Sequence, residues 1–256
     1  MLTPITSTRN PEVRRLCTLA TAAGRREQGT FLVEGLRAID GFLAAGWIPR
    51  QAFFVDTGEA PPHWSPLWAR PVASLVAHKL SGQKTPSGFA AEFAIPVPAE
   101  LDERHGGLVC AGVADPGNLG TLLRSAAAFG VEQVLLVGGA DPFAPKVVQA
   151  SAGALASLRL RRVDSIRLGL GGSARAPIVG LVVDGGELLG AQPRWPVWLA
   201  VGGEAHGLDS EALACCDHRF TLPMPGAAIE SLNAGVAGAL ALFLLRGLHR
   251  DSLAGA

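Results

Sequence analysis

No C-x-x-C pair occurs among the four cysteines of this 256-residue sequence, and two of the four, Cys215 and Cys216, are chain neighbours that make poor partners for each other. With Cys17 and Cys110 they exclude a disulfide scaffold and read as buried, reduced thiols of a cytoplasmic protein. The six histidines are scattered, with no metal-ligand spacing to a cysteine or a carboxylate pair, so no metal is expected. Charge is scarce: 17% of residues are charged against 48% hydrophobic, and the formal net charge is zero, which excludes a disordered chain and favours a packed globular one. The start, Met1-Leu-Thr-Pro-Ile5, lacks the basic and apolar regions of a signal peptide. The longest apolar run, Ala234–Leu245, has 12 residues, against roughly 20 for a membrane span. There is no G-x-x-x-x-G-K-[ST], which argues against a P-loop nucleotide hydrolase. The dinucleotide spacing G-x-G-x-x-G does not follow the apolar run Leu108–Val113, so a nicotinamide enzyme is not expected either.

What is present is unevenly spread. Residues 1–90 hold ten Lys/Arg and six Asp/Glu, an excess of four positive charges that the remainder cancels; a basic front half suggests a polyanionic partner. Only Lys79, Lys84 and Lys146 are lysines, a bias that suits phosphate recognition but that a GC-rich genome also produces. Along the front half the pattern predicts a helix over 10–23 capped by Asn10 with Pro11 at its first position, a strand at 31–33, a helix over 36–45, a strand over 51–55, a Pro/Trp-rich loop over 60–68, a helix over 72–80 and a strand over 88–95. Pro96-Val-Pro98 and the charged run that follows make a linker at about 96–106, dividing the chain into domains 1–98 and 106–256.

Beyond the linker, continuous apolar strands over 108–113, 134–137, 157–163, 178–183, 197–201 and 218–222 alternate with helices over 119–129, 146–154 and 233–249. That alternation implies an α/β fold with a mostly parallel sheet covered on both faces.

Three polar–glycine clusters lie where such a sheet binds ligands, beyond the carboxyl ends of its strands. The first runs from Asp115 to Gly130, and in it Asn118 is expected to cap a helix while Arg124 falls beside an apolar helix face. On the residues alone, snorkelling or an acidic partner accounts for Arg124 as well as a function does. The second is Val201-Gly-Gly-Glu-Ala-His-Gly-Leu208, where glycines permit close approach of a flat ligand and Glu204 offers acceptors. The third is Leu222-Pro-Met-Pro-Gly-Ala-Ala-Ile-Glu-Ser-Leu-Asn233: stiff prolines, then Ser231 and Asn233, the residue types that cap helices.

Taken in order, these clusters resemble the SpoU family of RNA 2′-O-ribose methyltransferases in the SPOUT superfamily, the TrmH-like enzymes. The first matches D-P-x-N-x-G-x-x-x-R-S-A-x-x-F-G, the second G-x-E-x-x-G-L, and the third I-P-M-x-G followed by S-L-N; Lys146–Gly153 is similar to K-x-V-R-A-S-x-G. Gln149 stands where the family often has Arg, Leu222 where Ile is usual and Ala234 where Val is common, and the third motif is one residue longer through Ala227–Glu230. Gly24-Arg-Arg-Glu27, Phe31–Gly35 and Thr85–Gly88 resemble the family's substrate-binding domain, a small α/β fold like certain ribosomal proteins.

The resemblance implies a deep trefoil knot in the C-terminal sheet domain, a homodimer, S-adenosylmethionine as cofactor and structured RNA as substrate, ribosomal RNA before tRNA. It implies catalytic roles for Arg124, Asn118, Glu204, Ser231 and Asn233, with Asn118 and Glu204 orienting Arg124 and the ribose. Gly202, Leu222, Met224 and Leu232 are implied to hold the cofactor through backbone groups, and Arg14, Arg25 and Arg26 to bind RNA. Because a guanidinium loses its proton only above about pH 12, Arg124 is read as a phosphate or alkoxide stabiliser, with the role of base left open. The apolar final helix fits a shared interface as well as an internal core. The competing expectations are a non-catalytic RNA-binding protein that kept the fold, and a tRNA or base methyltransferase on the same scaffold.

Overall fold

The computed structural model describes residues 3–81, 85–188, 194–225 and 231–247. It divides into two compact units: Met1–Pro96 with Phe143–Ala156, and Val97–Pro142 with Ser157–Ala256.

The first unit runs α1 (Pro11–Thr18), α2 (Ala22–Gln28), β1 (Thr30–Glu34), α3 (Leu36–Ala44), β2 (Gln51–Val55), β3 (Ala69–Val72), α4 (Ser74–Ser81) and β4 (Phe89–Ala94). Asn10 caps α1 with Pro11 at its first turn, as its sequence predicts, but the expected helix over 10–23 is two helices. Thr21 breaks it by turning extended and capping α2 with its hydroxyl. The strands form one sheet in the order β1-β4-β2-β3, antiparallel except for β2 with β3. β3 has no counterpart in the sequence reading, which leaves 69–71 unassigned and starts the next helix at Val72; Pro71 and the extended Ala69–Val72 register beside Ala52–Val55 make it an edge strand.

One face of this sheet buries an aromatic cluster in which Phe31, Phe42 and Phe93 pack with centroids 4.9–6.2 Å apart. Phe143 closes on Phe31 at 4.9 Å and the Trp47 indole donates to Ala156 O at 2.9 Å, so the later segment Phe143–Ala156, carrying α6 (Pro145–Ser151), belongs to this core. The other notable feature is ionic. Glu92, on β4 and 1% exposed, accepts a two-pronged bond from Arg15 (2.7 and 2.8 Å) as well as bonds from Gln51 and Thr30. Burial pushes its carboxyl up, yet these donors win and hold it below the ordinary carboxylate range.

The second unit contains β5 (Gly107–Ala111), α5 (Pro116–Ala128), β6 (Gln133–Val137), β7 (Arg159–Val163), α7 (Ile166–Gly169), β8 (Ile178–Leu181), β9 (Glu187–Leu188), β10 (Trp198–Gly202), α8 (Ser210–Cys215), β11 (His218–Thr221) and α9 (Ala234–Leu242), continued by a π-helical turn over Phe243–Gly247. Every pairing in its seven-stranded sheet, β7-β6-β5-β10-β8-β11-β9, is parallel. β5 and β10 are adjacent and buried along their whole length, as continuous apolar runs covered on both faces should be. The short α7, α8 and β9 are not evident in the apolar pattern. The final helix is read from sequence to 249; residues 248 and 249 lie outside the described residues.

α9 uses its small residues inside this unit. A Cβ on Gly238 would overlap the Leu122 side chain of α5 and touch Val201 of β10. Gly235 lies close to Thr121 and Asn118. At the far end, Arg246 donates to the carbonyls of Phe129 and Gly130 (3.2 and 2.8 Å), the free acceptors at the end of α5, and stacks over Trp195 at 4.9 Å.

Candidate active site

Three loops leave the carboxyl ends of β5, β10 and β11, and each is built by a local rule. In the first, Asp115 caps α5, its carboxylate accepting the Asn118 amide hydrogen at 2.8 Å, with Pro116 in the first turn. This corrects the expectation that Asn118 is the cap. Because Asp115 takes that role, the Asn118 side chain is free for other bonds. In the second, Gly207 N donates to Gly203 O at 2.9 Å and closes a turn whose tip is Glu204–His206. A Cβ on Gly202 would overlap the backbone of Gly207 and Leu208, so glycine there is a packing requirement. In the third, Asn233 caps α9, its side-chain oxygen accepting from Val236 N at 3.2 Å.

The loops are joined by side-chain amides. Asn233 Nδ2 donates to Asn118 Oδ1 at 2.8 Å, and Asn118 Nδ2 donates to Glu204 Oε1 at 2.6 Å. Burial raises the Glu204 carboxyl, but the Asn118 amide and the backbone N–H groups of Glu204, Asp115 and Ala114 outweigh it and hold the group below its ordinary range. Glu204 is therefore a fixed anion with its acceptors in use. The resemblance has Asn118 and Glu204 orienting Arg124 and the ribose; in the structure the Asn118 amide bonds Glu204 and Asn233, and neither Asn118 nor Glu204 bonds Arg124. Arg124 lies six residues further along α5, about 9 Å along the axis, exposed and with no partner among the described residues.

An open cavity of about 930 Å³ lies beyond the carboxyl ends of β8, β10 and β11, within the size range of small-molecule sites, ~300–1,000 Å³. Gly202, Leu222, Met224 and Leu232 all line it, as do Glu204, Ser231 and Asn233. Asn118 and Arg124 do not; Asn118 reaches it through its two amide bonds. The cavity's lining also includes Val183, Asp184 and His206, which sequence reasoning missed. Val183 ends a predicted strand and Asp184 follows it, so the rule that ligands sit at strand exits was available for them. Residues 226–230, which include the extra length of the third motif, lie outside the described residues.

The SpoU rRNA Methylase family pattern matches residues 107–243. The chain belongs to this family. An MRM3-like substrate binding domain matches residues 10–91. Among relatives of this SpoU chain, the Bacillus subtilis 23S rRNA (guanosine(2553)-2′-O)-methyltransferase is 28% identical, covering 95% of the chain and 99% of that protein. A crystal structure of an RNA 2′-O ribose methyltransferase superposes with TM-score 0.81 at 34% identity, covering 95% of this chain and 98% of that one. The SpoU methyltransferase AviRb of Streptomyces viridochromogenes, solved with its cofactor AdoMet, gives TM-score 0.83 at 25% identity, covering 97% and 100%.

In the first unit the three predicted RNA-binding arginines part ways. Arg14 and Arg26 are exposed. Arg25 is 3% exposed, and its guanidinium donates to Leu19 O and Ala20 O at 2.8 and 3.1 Å, just past the end of α1. It secures the α1–α2 corner and is not available to a polyanion, which corrects the expectation from sequence.

Proposed function

We propose that this SpoU chain transfers the methyl group of S-adenosylmethionine to a ribose 2′-hydroxyl of structured RNA, ribosomal RNA in the first place. The observation that carries this reading is the Glu204–Asn118–Asn233 amide chain, which unites the family's three motifs at the rim of a cavity of cofactor size. Backbone groups of Gly202, Leu222, Met224 and Leu232 hold the adenine and ribose of the cofactor. The methyl sulfonium supplies the electrophile, and the chain's task is to align a sugar oxygen with it and to stabilise the charge that develops there. Asn118, Ser231 and Asn233 fix the loops, Glu204 anchors the second turn, and Arg124 binds phosphate or developing alkoxide. The 2′-O activity of the B. subtilis relative supports the reaction type.

The same reading has residues 1–98 as the RNA-binding domain, of ribosomal-protein type, with Arg14 and Arg26 on the RNA, and 106–256 as the methyltransferase domain with the trefoil knot of its family. It has the enzyme acting in the cytoplasm as a homodimer. Four free cysteines, with burial pushing Cys110 up to about 12 and Cys216 up to about 11, fit a reducing compartment. Val236, Leu240 and Phe243, each 43–46% exposed at helical spacing, leave an apolar stripe on the final helix that suits a second copy.

The test is to incubate the protein with labelled S-adenosylmethionine and unmodified rRNA and tRNA transcripts, then map the modified nucleotide by mass. A ribose 2′-O-methyl in rRNA is expected. A methylated base, or no transfer to either RNA, overturns the proposal.

A further inference from the structure

Methyl transfer to a hydroxyl releases a proton, and the groups considered so far are poor places for it. A guanidinium such as Arg124 takes up no second proton near neutrality. Glu204 is held anionic by the Asn118 amide and three backbone N–H groups, so protonating it would break those bonds. Among the described residues, the ionisable side chains lining the cavity are Asp184, Glu204 and His206. Only the last is an imidazole, the side-chain type that changes charge between about pH 5 and 8. Its position is fixed from both sides: it occupies the tip of the turn closed by Gly207 N and Gly203 O, and that turn is tied down two residues earlier by the Glu204–Asn118 bond. The side chain is exposed at the cavity.

We propose that His206 accepts the proton of the ribose 2′-hydroxyl during methyl transfer, a role that rests on the methyltransferase reading above. A bond forms between the 2′-oxygen and the methyl carbon as the carbon–sulfur bond of the sulfonium breaks. The sulfur keeps that electron pair and leaves as a neutral thioether. The hydroxyl proton passes to the free imidazole nitrogen, and the imidazolium returns it to water after product leaves. Asp184 and Glu204 are the other charged groups lining the cavity among the described residues. Glu204 acts on His206 by positioning the turn.

The experiment uses the full chain, labelled S-adenosylmethionine and unmodified rRNA transcript. Single-turnover transfer is followed from pH 5.5 to 9 for wild type, His206→Ala and His206→Gln, with cofactor affinity measured by calorimetry for each. Wild type is expected to transfer more slowly at the acidic end of that range. Both variants are expected to bind cofactor within about twofold of wild type, to transfer about 100-fold more slowly at neutral pH, and to lose the acidic limb. Added imidazole is expected to restore part of the alanine variant's rate. A wild-type-like rate in the alanine variant, retention of the acidic limb, or recovery by glutamine, which can hydrogen-bond but not take the proton, would overturn the proposal. Absence of transfer by wild type itself would instead sink the methyltransferase reading.

Discussion

At the scale of single residues, the candidate site depends on which polar group takes which bond. Asp115 caps α5, and that releases Asn118 to join Glu204 to Asn233. Asn118→Ala should therefore leave a carboxylate and an amide without their partner. Stability should fall by about 1–2 kcal/mol, and methyl transfer should fall by more than that loss explains. Thermal melts paired with single-turnover rates check this. Arg124 is exposed and lies outside the cavity lining. Arg124→Ala should keep cofactor affinity near wild type and lower transfer by about 10²–10³-fold, read by calorimetry against a methylation assay. A methylation rate close to wild type would remove Arg124 from the chemistry. The residue types of this site were legible in the sequence because strand exits, glycines and caps leave local marks. The partner of each amide was not, since Asn118 and Glu204 are 86 residues apart in the chain.

Secondary-structure elements show a different division. Within α9, Gly235 and Gly238 serve close packing against α5, and Gly238 also against β10. Gly238→Ala would press a methyl group into Leu122, and the expected cost is about 1–3 kcal/mol, visible as a lowered midpoint in denaturant. In the first unit, the β4 carboxylate of Glu92 ties α1 to the sheet through Arg15. Its folded-state affinity for a proton is depressed, so it contributes stability above its unfolded pKa, roughly pH 4.3. That contribution is lost as pH falls through and below this value. Glu92→Ala should cost about 3 kcal/mol at neutral pH, the lower end for a broken buried pair because Arg15 is partly exposed. It should also flatten the acid side of the stability profile. The sequence pattern placed most strands and helices correctly, failing where elements were too short for a period to register, as with β3, α7 and β9.

For the molecule as a whole, the segment Phe143–Ala156 belongs to the core of the first unit. Cutting the chain at 98 would take away the packing partner of that segment, so charge reversal is the cleaner probe of RNA binding. Arg14→Glu with Arg26→Glu should weaken RNA affinity and make its dependence on salt shallower by about one to two in log–log slope. An unchanged slope would remove these two residues from the RNA surface. Arg25→Glu should instead destabilise the α1–α2 corner, because its guanidinium is committed to backbone carbonyls.

By itself the sequence determined the fold class, the parallel sheet and the three motif loops, because apolar runs, glycines and helix caps act over a few residues. Tertiary structure alone decided that Arg25 is buried, that Asn118 is a link and not a cap, and that His206 lines the cavity. These outcomes depend on which distant backbone amides and side chains compete for one polar group once the strands are packed, and neighbouring residues in the chain carry no record of that competition.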